Sequence, residues 1–297
     1  MAKYLKIIKA RWDSSSNKLI FWAWIGLRIK KTLKLNFTEN CRRDGQKMID
    51  VIIPTISKDY LLLETVLASL KNVCQPINKI FIVSQKEQFI IDFCLKHDCT
   101  FVDEREVLGY GKEAIDYKVG GQDRSGWLFQ QLLKLAGDRI AEMENFLVID
   151  SDTVLIKPHS FIAGERFVFF ESEEWNQDYF TAFQTIFGYR PKSLVSHVCH
   201  MMIFNNQYLR EMKAEMEKKN KTGWDKVVIS TKNNGAVSCF SEYETYSNWL
   251  LQKHPGAVKF QPFYNKSLAK DKLTSLDDLA SHFGNRYNSL SFHSYYG

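Results

Sequence analysis

The apolar positions of this chain keep two rhythms. Short, nearly unbroken apolar runs occur at Met48–Pro54, Lys79–Val83, Thr100–Val102, Phe146–Ile149, Phe167–Phe170 and Met201–Phe204. Their length and β-branched content predict buried strands. Between them the spacing turns helical. Leu61, Leu62, Thr65, Val66 and Leu70 share one predicted helical face, and further helices are predicted at Lys86–Lys96, Ser125–Ile140 with Ser125 as N-cap, and Gln207–Lys219 opened by Asn205 and Asn206. Strands alternating with helices predict right-handed βαβ units and a parallel sheet. Ligands of such sheets bind beyond the carboxyl ends of the strands. Pro54, Thr55, Ser84, Asp103 and the triplet Asp150-Ser151-Asp152 all fall at those ends.

Three stretches break the rhythm. Glu104–Asp123 is polar and carries Gly109, Gly111, Gly120 and Gly121, the composition of a mobile active-site loop. Leu19–Leu27 is a nine-residue apolar segment with Trp22 and Trp24, flanked by Lys18 and by Arg28, Lys30 and Lys31. It is too short to cross a bilayer, which takes about 20 apolar residues. It suits either an anionic membrane surface or a helix packed on the body of the protein. The end of the chain, Ser289–Gly297, alternates apolar and aromatic residues where tails are normally polar.

At 297 residues and 45% hydrophobic, the chain can bury a sizeable core, which excludes a disordered protein. The net charge of +6 is uneven: residues 1–43 sum to +9 and the remainder to −3. Positive charge confined to one end speaks against a nucleic-acid binder. It divides the chain into a basic extension, 1–43, and a body, 44–297. Six cysteines without a CxxC pair read as free thiols in a reducing compartment. The N-terminus has no signal-peptide pattern. Together these point to the cytoplasm, at the inner face of the plasma membrane if residues 1–43 dock on a membrane and free of it if they pack on the body.

The densest chemistry is Asn145–Pro158, NFLVIDSDTVLIKP. Two carboxylates one residue apart at the end of a buried strand repel each other, and a shared cation relieves the cost. Hard oxygen ligands suit Mg²⁺ or Mn²⁺, carriers of nucleotide phosphates. Asp and Ser are also ordinary turn residues. On the preceding helix, Gln131 and Lys134 can face a phosphate or sugar while Leu128, Leu132, Leu133 and Leu135 face the sheet, and Arg124 can assist the phosphate. In the second half, Trp175 beside Glu171, Glu173 and Glu174 fits a sugar-stacking site or the core. His197 and His200 lack further metal ligands, so His200 is a candidate acceptor-binding group. Ser241 and Glu244 have capping-box spacing, which accounts for Glu244 and leaves Glu242 as either a base or a first-turn acid complementing the helix dipole.

DVIIPT, then SGWLFQQLLKL, then FLVIDSDTVLIKP, in that order, resembles the GT-A nucleotide-sugar glycosyltransferases with a DXD motif, most closely the bacterial enzymes of surface-polysaccharide clusters. The resemblance spans roughly residues 48–297. It implies an α/β, GT-A type Rossmann-like, mostly parallel sheet flanked by helices, with an N-terminal helical extension, a donor half of about 48–158 and an acceptor half of about 159–297. It implies a Mn²⁺ or Mg²⁺ cofactor, a UDP-, GDP-, TDP- or CMP-linked donor, and a glycan or lipid-linked glycan acceptor in lipopolysaccharide, capsule or O-antigen. Carried onto this chain, Asp150 faces the ribose or the metal, and Asp152 ligates the metal. Pro54, Thr55 and Asp59 hold the nucleoside with Ser84, and Ser151 joins the donor site. His293 completes the metal shell, with His282 as competitor, and Glu242 is the base of the related inverting enzymes. A sugar nucleotidyltransferase is the alternative enzyme, disfavoured because Pro54–Tyr60 contains no glycine. A non-catalytic glycan-binding protein is the third reading.

Overall fold

The six apolar runs all lie in strands. The computed structural model describes residues 18–37, 41 and 47–293. Helix α1 (Lys18–Thr32) precedes β1 (Ile49–Pro54), α2 (Tyr60–Ser69), β2 (Ile77–Ser84), α3 (Gln88–Lys96) and β3 (Thr100–Asp103). The chain continues through α4 (Ser125–Leu135), β4 (Asn145–Ile149), β5 (Thr153–Leu155), β6 (Arg166–Glu171), α5 (Gln177–Phe187) and β7 (Met201–Asn205). Then follow α6 (Asn206–Asn220), α7 (Trp224–Ser230), α8 (Glu242–Lys253), β8 (Val258–Pro262), β9 (Asn265–Ala269), α9 (Leu276–Phe283) and β10 (Ser289–His293).

The central sheet has the order β7-β4-β1-β2-β3, parallel throughout except for β7, which runs antiparallel to β4. It is a mixed α/β fold with a parallel-rich sheet flanked by helices. Every residue of β1, β4 and β7 is buried, because helices cover both faces. Asp50 is the polar exception in β1. Its Oδ2 accepts from the backbone N–H of Glu142 and Met143 at 2.6 and 2.8 Å, and its Oδ1 accepts from Asn78 at 2.9 Å, so burial leaves it satisfied.

Two smaller sheets complete the body. In one, β6 lies between β8 and the short strand Ile162–Ala163. In the other, β10 lies between β9 and β5, with Ser291 opposite Thr153. The second sheet brings the end of the chain under the Asp150–Asp152 turn, where the Phe292 N–H donates to the Asp152 carbonyl at 2.8 Å. The alternating tail is therefore a buried strand, and residues 294–297 lie outside the described residues.

Several sequence expectations change. Leu61 is 87% exposed while Leu62, Val66 and Leu70 are buried, because three consecutive leucines carry no phase information. The long helix from Ser125 ends at Leu135 rather than Ile140. Gly137 follows in a 3₁₀ turn so close to the core that a Cβ there would stand 2.3 Å from the Phe146 ring. Ser125 is the first helical residue rather than the cap: its N–H donates to Asp123 Oδ1 at 2.9 Å, and its Oγ accepts from the Tyr117 N–H. Asn205 does cap α6, accepting from the Gln207 and Tyr208 N–H groups. The glycine-rich stretch carries its own elements, a helical turn at Glu104–Leu108 capped by Asp103 and a two-strand hairpin, with Ile115 and Tyr117 buried. Cys41 and Cys74 form a disulfide with Cα atoms 5.0 Å apart, so the expectation of six free thiols fails for this pair. Cys94, Cys99, Cys199 and Cys239 are free. Among the described residues, no helix is long and apolar enough to cross a membrane.

Candidate active site

A cleft opens beyond the carboxyl ends of β1, β2 and β4 as two adjoining cavities. The wider, about 880 Å³, is lined by Tyr60, Ser84, Glu104 and Arg124. The narrower, about 210 Å³, is lined by Pro54, Asp59, Gln131, Lys134, Asp150, Ser151, Asp152, His200 and His293. Ile56, Lys58, Trp127 and Gln130 border both, so the two form one continuous recess.

The narrow cavity is built around a buried charge cluster. Lys134, projecting from α4, places Nζ 2.5 Å from Asp150 Oδ1 and 2.8 Å from Glu242 Oε1. Asp150 Oδ1 also accepts from the Tyr243 hydroxyl at 3.0 Å, and Oδ2 lies 3.3 Å from His200 Nδ1. Burial alone would raise the Asp150 carboxyl, but Lys134 and His200 outweigh it and hold the group well below the usual carboxylate range. Burial likewise pushes the Lys134 ammonium down, and Asp150 with Glu242 more than reverses that. His200 is raised, its burial overcome by Asp150. The sequence-adjacent pair of acids is thus not left to repel: an internal ammonium neutralises the first of them.

His200 has φ +61, a left-handed conformation uncommon outside glycine. Its own carbonyl accepts the Asp150 N–H at 2.9 Å while its ring lies beside the Asp150 side chain. Strain of this kind persists where the surroundings over-determine it. Asp152 points the other way, with Oδ2 3.1 Å from His293 Nδ1 at the end of β10. Ser151 Oγ donates to Asp59 Oδ2 at 3.1 Å, and Lys270 Nζ donates to Asp59 Oδ1.

The donor set bears directly on a metal. Asp152 and His293 offer a carboxylate oxygen and a ring nitrogen side by side at the cavity wall, which fits Mn²⁺ or Mg²⁺ completed by substrate oxygens. Both Asp150 oxygens are taken by Lys134, Tyr243 and His200. Among the described residues, no group of three or more His, Cys, Asp and Glu is arranged to hold an ion. His197 is in the core, hydrogen-bonded to Ser193 and Ser247, and His282 bonds the Asp278 carbonyl on an exposed face of α9, so neither belongs to the cleft.

Other expected residues divide. Ser84 shares a hydrogen bond with the Tyr60 hydroxyl at 3.0 Å on the wall of the wider cavity. Arg124 stacks on Trp127 at 4.5 Å and donates to the Val237 carbonyl. Gln131 bonds the Trp127 carbonyl. Thr55 is buried with its Oγ1 unpartnered and lines neither cavity; its N–H extends the sheet by donating to Val83. Trp175 is half-buried, stacks on Phe180 at 3.9 Å and lines neither cavity. Glu242 is 1% exposed and lines neither cavity. Its Oε1 is a counter-ion to Lys134, while its Oε2 has no hydrogen-bond partner. Lys134 in turn is committed to two carboxylates rather than free for a phosphate. Tyr243, Lys58 and Lys270 escaped sequence reasoning. Tyr243 adjoins Glu242 in the first turn of α8, but its partner lies 93 residues away.

Residues 46–295 match the family described as a family of unknown function, DUF6492. The chain belongs to that family. No curated protein matches the sequence. Among solved structures, this DUF6492 chain is similar to mouse xyloside xylosyltransferase 1, at 10% identity and TM-score 0.47, covering 84% of this chain and 99% of that one. It is similar to the galactosyltransferase LgtC, solved with donor and acceptor sugar analogues, at 11% identity and TM-score 0.44, covering 82% and 87%. It is also similar to the bifunctional glycosyltransferase WbbM, at 10% identity and TM-score 0.45, covering 86% of this chain and 47% of WbbM.

Proposed function

We propose that this DUF6492 chain is a glycosyltransferase that moves a sugar from a nucleotide-sugar donor to a glycan or lipid-linked glycan acceptor, with Mn²⁺ or Mg²⁺ held by Asp152 and His293. The observation that carries the reading is the pairing of a wide recess, roomy enough for a nucleoside, with a narrow, charge-lined one at the carboxyl edge of a parallel sheet. The donor half is residues 48–158, whose β1, β2 and α4 line the recess. Tyr60, Ser84 and Glu104 receive the nucleoside. Lys58, exposed where the cavities meet, contacts the diphosphate. When bound by Asp152 and His293, a divalent ion would supply positive charge to a departing diphosphate. Lys134 fixes Asp150 through charge-assisted hydrogen bonds, and Tyr243 and His200 fix the orientation of that carboxylate, so the donor meets preorganised groups. The sequence resemblance extends the acceptor to a bacterial surface glycan.

The test is a panel of UDP-, GDP-, TDP- and CMP-sugars incubated with Mn²⁺, with the released nucleotide measured. Release from one nucleotide class, stopped by chelation, is expected. Pyrophosphate formed from a nucleoside triphosphate and a sugar phosphate would favour the nucleotidyltransferase. Binding of glycans without release from any donor would favour a glycan-binding protein.

A further inference from the structure

The sequence leaves α1 either on a membrane or packed on the body. The structure shows a helix with two apolar faces. Ile20, Phe21, Trp24 and Leu27 are buried against the body. Ion pairs from Lys30 to Glu171 at 2.8 Å and from Lys31 to Glu173 at 3.1 Å secure that contact. The Tyr264 hydroxyl donates to the Leu35 carbonyl at 2.9 Å just beyond the helix end. On the opposite side, Leu19 is 60%, Trp22 61%, Ile29 54% and Leu33 65% exposed. At 3.6 residues per turn Leu19, Trp22 and Ile29 fall within an arc of about 80°, with Gly26 between them, and Leu33 follows in the turn after the helix. Scattered exposed apolar residues need no explanation, but a contiguous stripe of four large ones does.

We infer that this outward stripe is a membrane-docking face, seated in the interface of an anionic lipid bilayer with α1 parallel to the surface. The charge of the surrounding chain selects the occupant. No acidic residue lies in α1, Lys18 and Lys34 are exposed at its two ends, and residues 1–43 together carry +9. Anionic headgroups complement such a rim, and an indole at the headgroup level is well placed with its ring buried and its N–H wet. A second copy of the chain is the poorer occupant, since stripe-to-stripe contact would bring two such basic ends together. Because the inner face of α1 is fixed by Glu171, Glu173 and Tyr264, seating the helix would also fix the orientation of the whole molecule on the surface.

The test uses the full chain and sedimentation with vesicles of phosphatidylcholine alone or mixed with phosphatidylglycerol. The mixed vesicles are expected to bind it, less strongly as salt rises. Trp22→Glu combined with Ile29→Glu is expected to weaken partitioning by on the order of ten-fold or more, with an unchanged melting curve, since both side chains already face water. Leu33→Glu, beyond the last helical residue, should act in the same direction. A chain that stays in the supernatant with mixed vesicles, or a double variant that binds them as well as the parent, overturns the inference. So does a lipid-free dimer that the double variant dissociates, which would assign the stripe to a second copy.

Discussion

Lys134 is the residue on which the cleft turns. It lies between two carboxylates from distant parts of the chain, and removing the ammonium leaves Glu242 buried without a cation and Asp150 with His200 alone. Lys134→Met should destabilise the fold by about 3–5 kcal/mol, the range for breaking a buried ion pair from one side. Urea denaturation measures this, and a change within 0.5 kcal/mol, the usual scatter of exposed sites, would remove the cluster from the core of the account. A neighbouring acid titrates near neutrality for a different reason. Burial pushes the Glu244 carboxyl up to about 7, against hydrogen bonds from the His197 N–H, Ser196 and Asn248. An acid raised in this way holds its proton in the folded state over a range where the unfolded chain has lost it. Its contribution is therefore full below the usual carboxylate range and declines as pH rises through the window ending near 7. The loss is of order 3 kcal/mol. Melting temperatures from pH 5 to 8 should fall for the parent and fall less for Glu244→Gln, and equal slopes would refute the assignment.

Elements were legible where one signal dominated. The runs in β1, β4 and β7 are buried on both faces, so apolar content alone marked them. The phase of α2 was not, because Leu61, Leu62 and Leu63 satisfy any rotation and only packing turns Leu61 outward. The end of α4 depends on Gly137 meeting the Phe146 ring, a tertiary contact with no local signature. Gly137→Ala should accordingly cost about 1–3 kcal/mol by overpacking, read by urea denaturation, although alanine is the better helix former. The Cys41–Cys74 bridge was equally hidden, since cysteine spacing does not encode partners. Closing 33 residues of chain, it should contribute about 3–4 kcal/mol. A reductant should lower the melting temperature of the parent and leave a Cys41→Ser, Cys74→Ser variant unmoved.

At the scale of the molecule, the order of elements alone puts Pro54, Ser84, Asp150 and Asp152 at one edge of one sheet, because parallel strands end on the same side. Which of those side chains face the cleft was beyond that logic. Trp175 and Glu242 have the right chemistry for a sugar site, yet one packs on Phe180 and the other lies beneath Lys134. The division of labour between the two acids follows from the same packing: Asp150 is neutralised from within, and Asp152 with His293 faces the cavity. Calorimetric titration of Mn²⁺ together with a nucleoside diphosphate, on the parent and on Asp152→Ala and Lys134→Met, tests that division most directly. Loss of metal-dependent binding in Asp152→Ala by on the order of ten-fold or more, with a smaller loss in any folded Lys134→Met protein, is the expected result. Equal metal-dependent affinity in the parent and Asp152→Ala would contradict it.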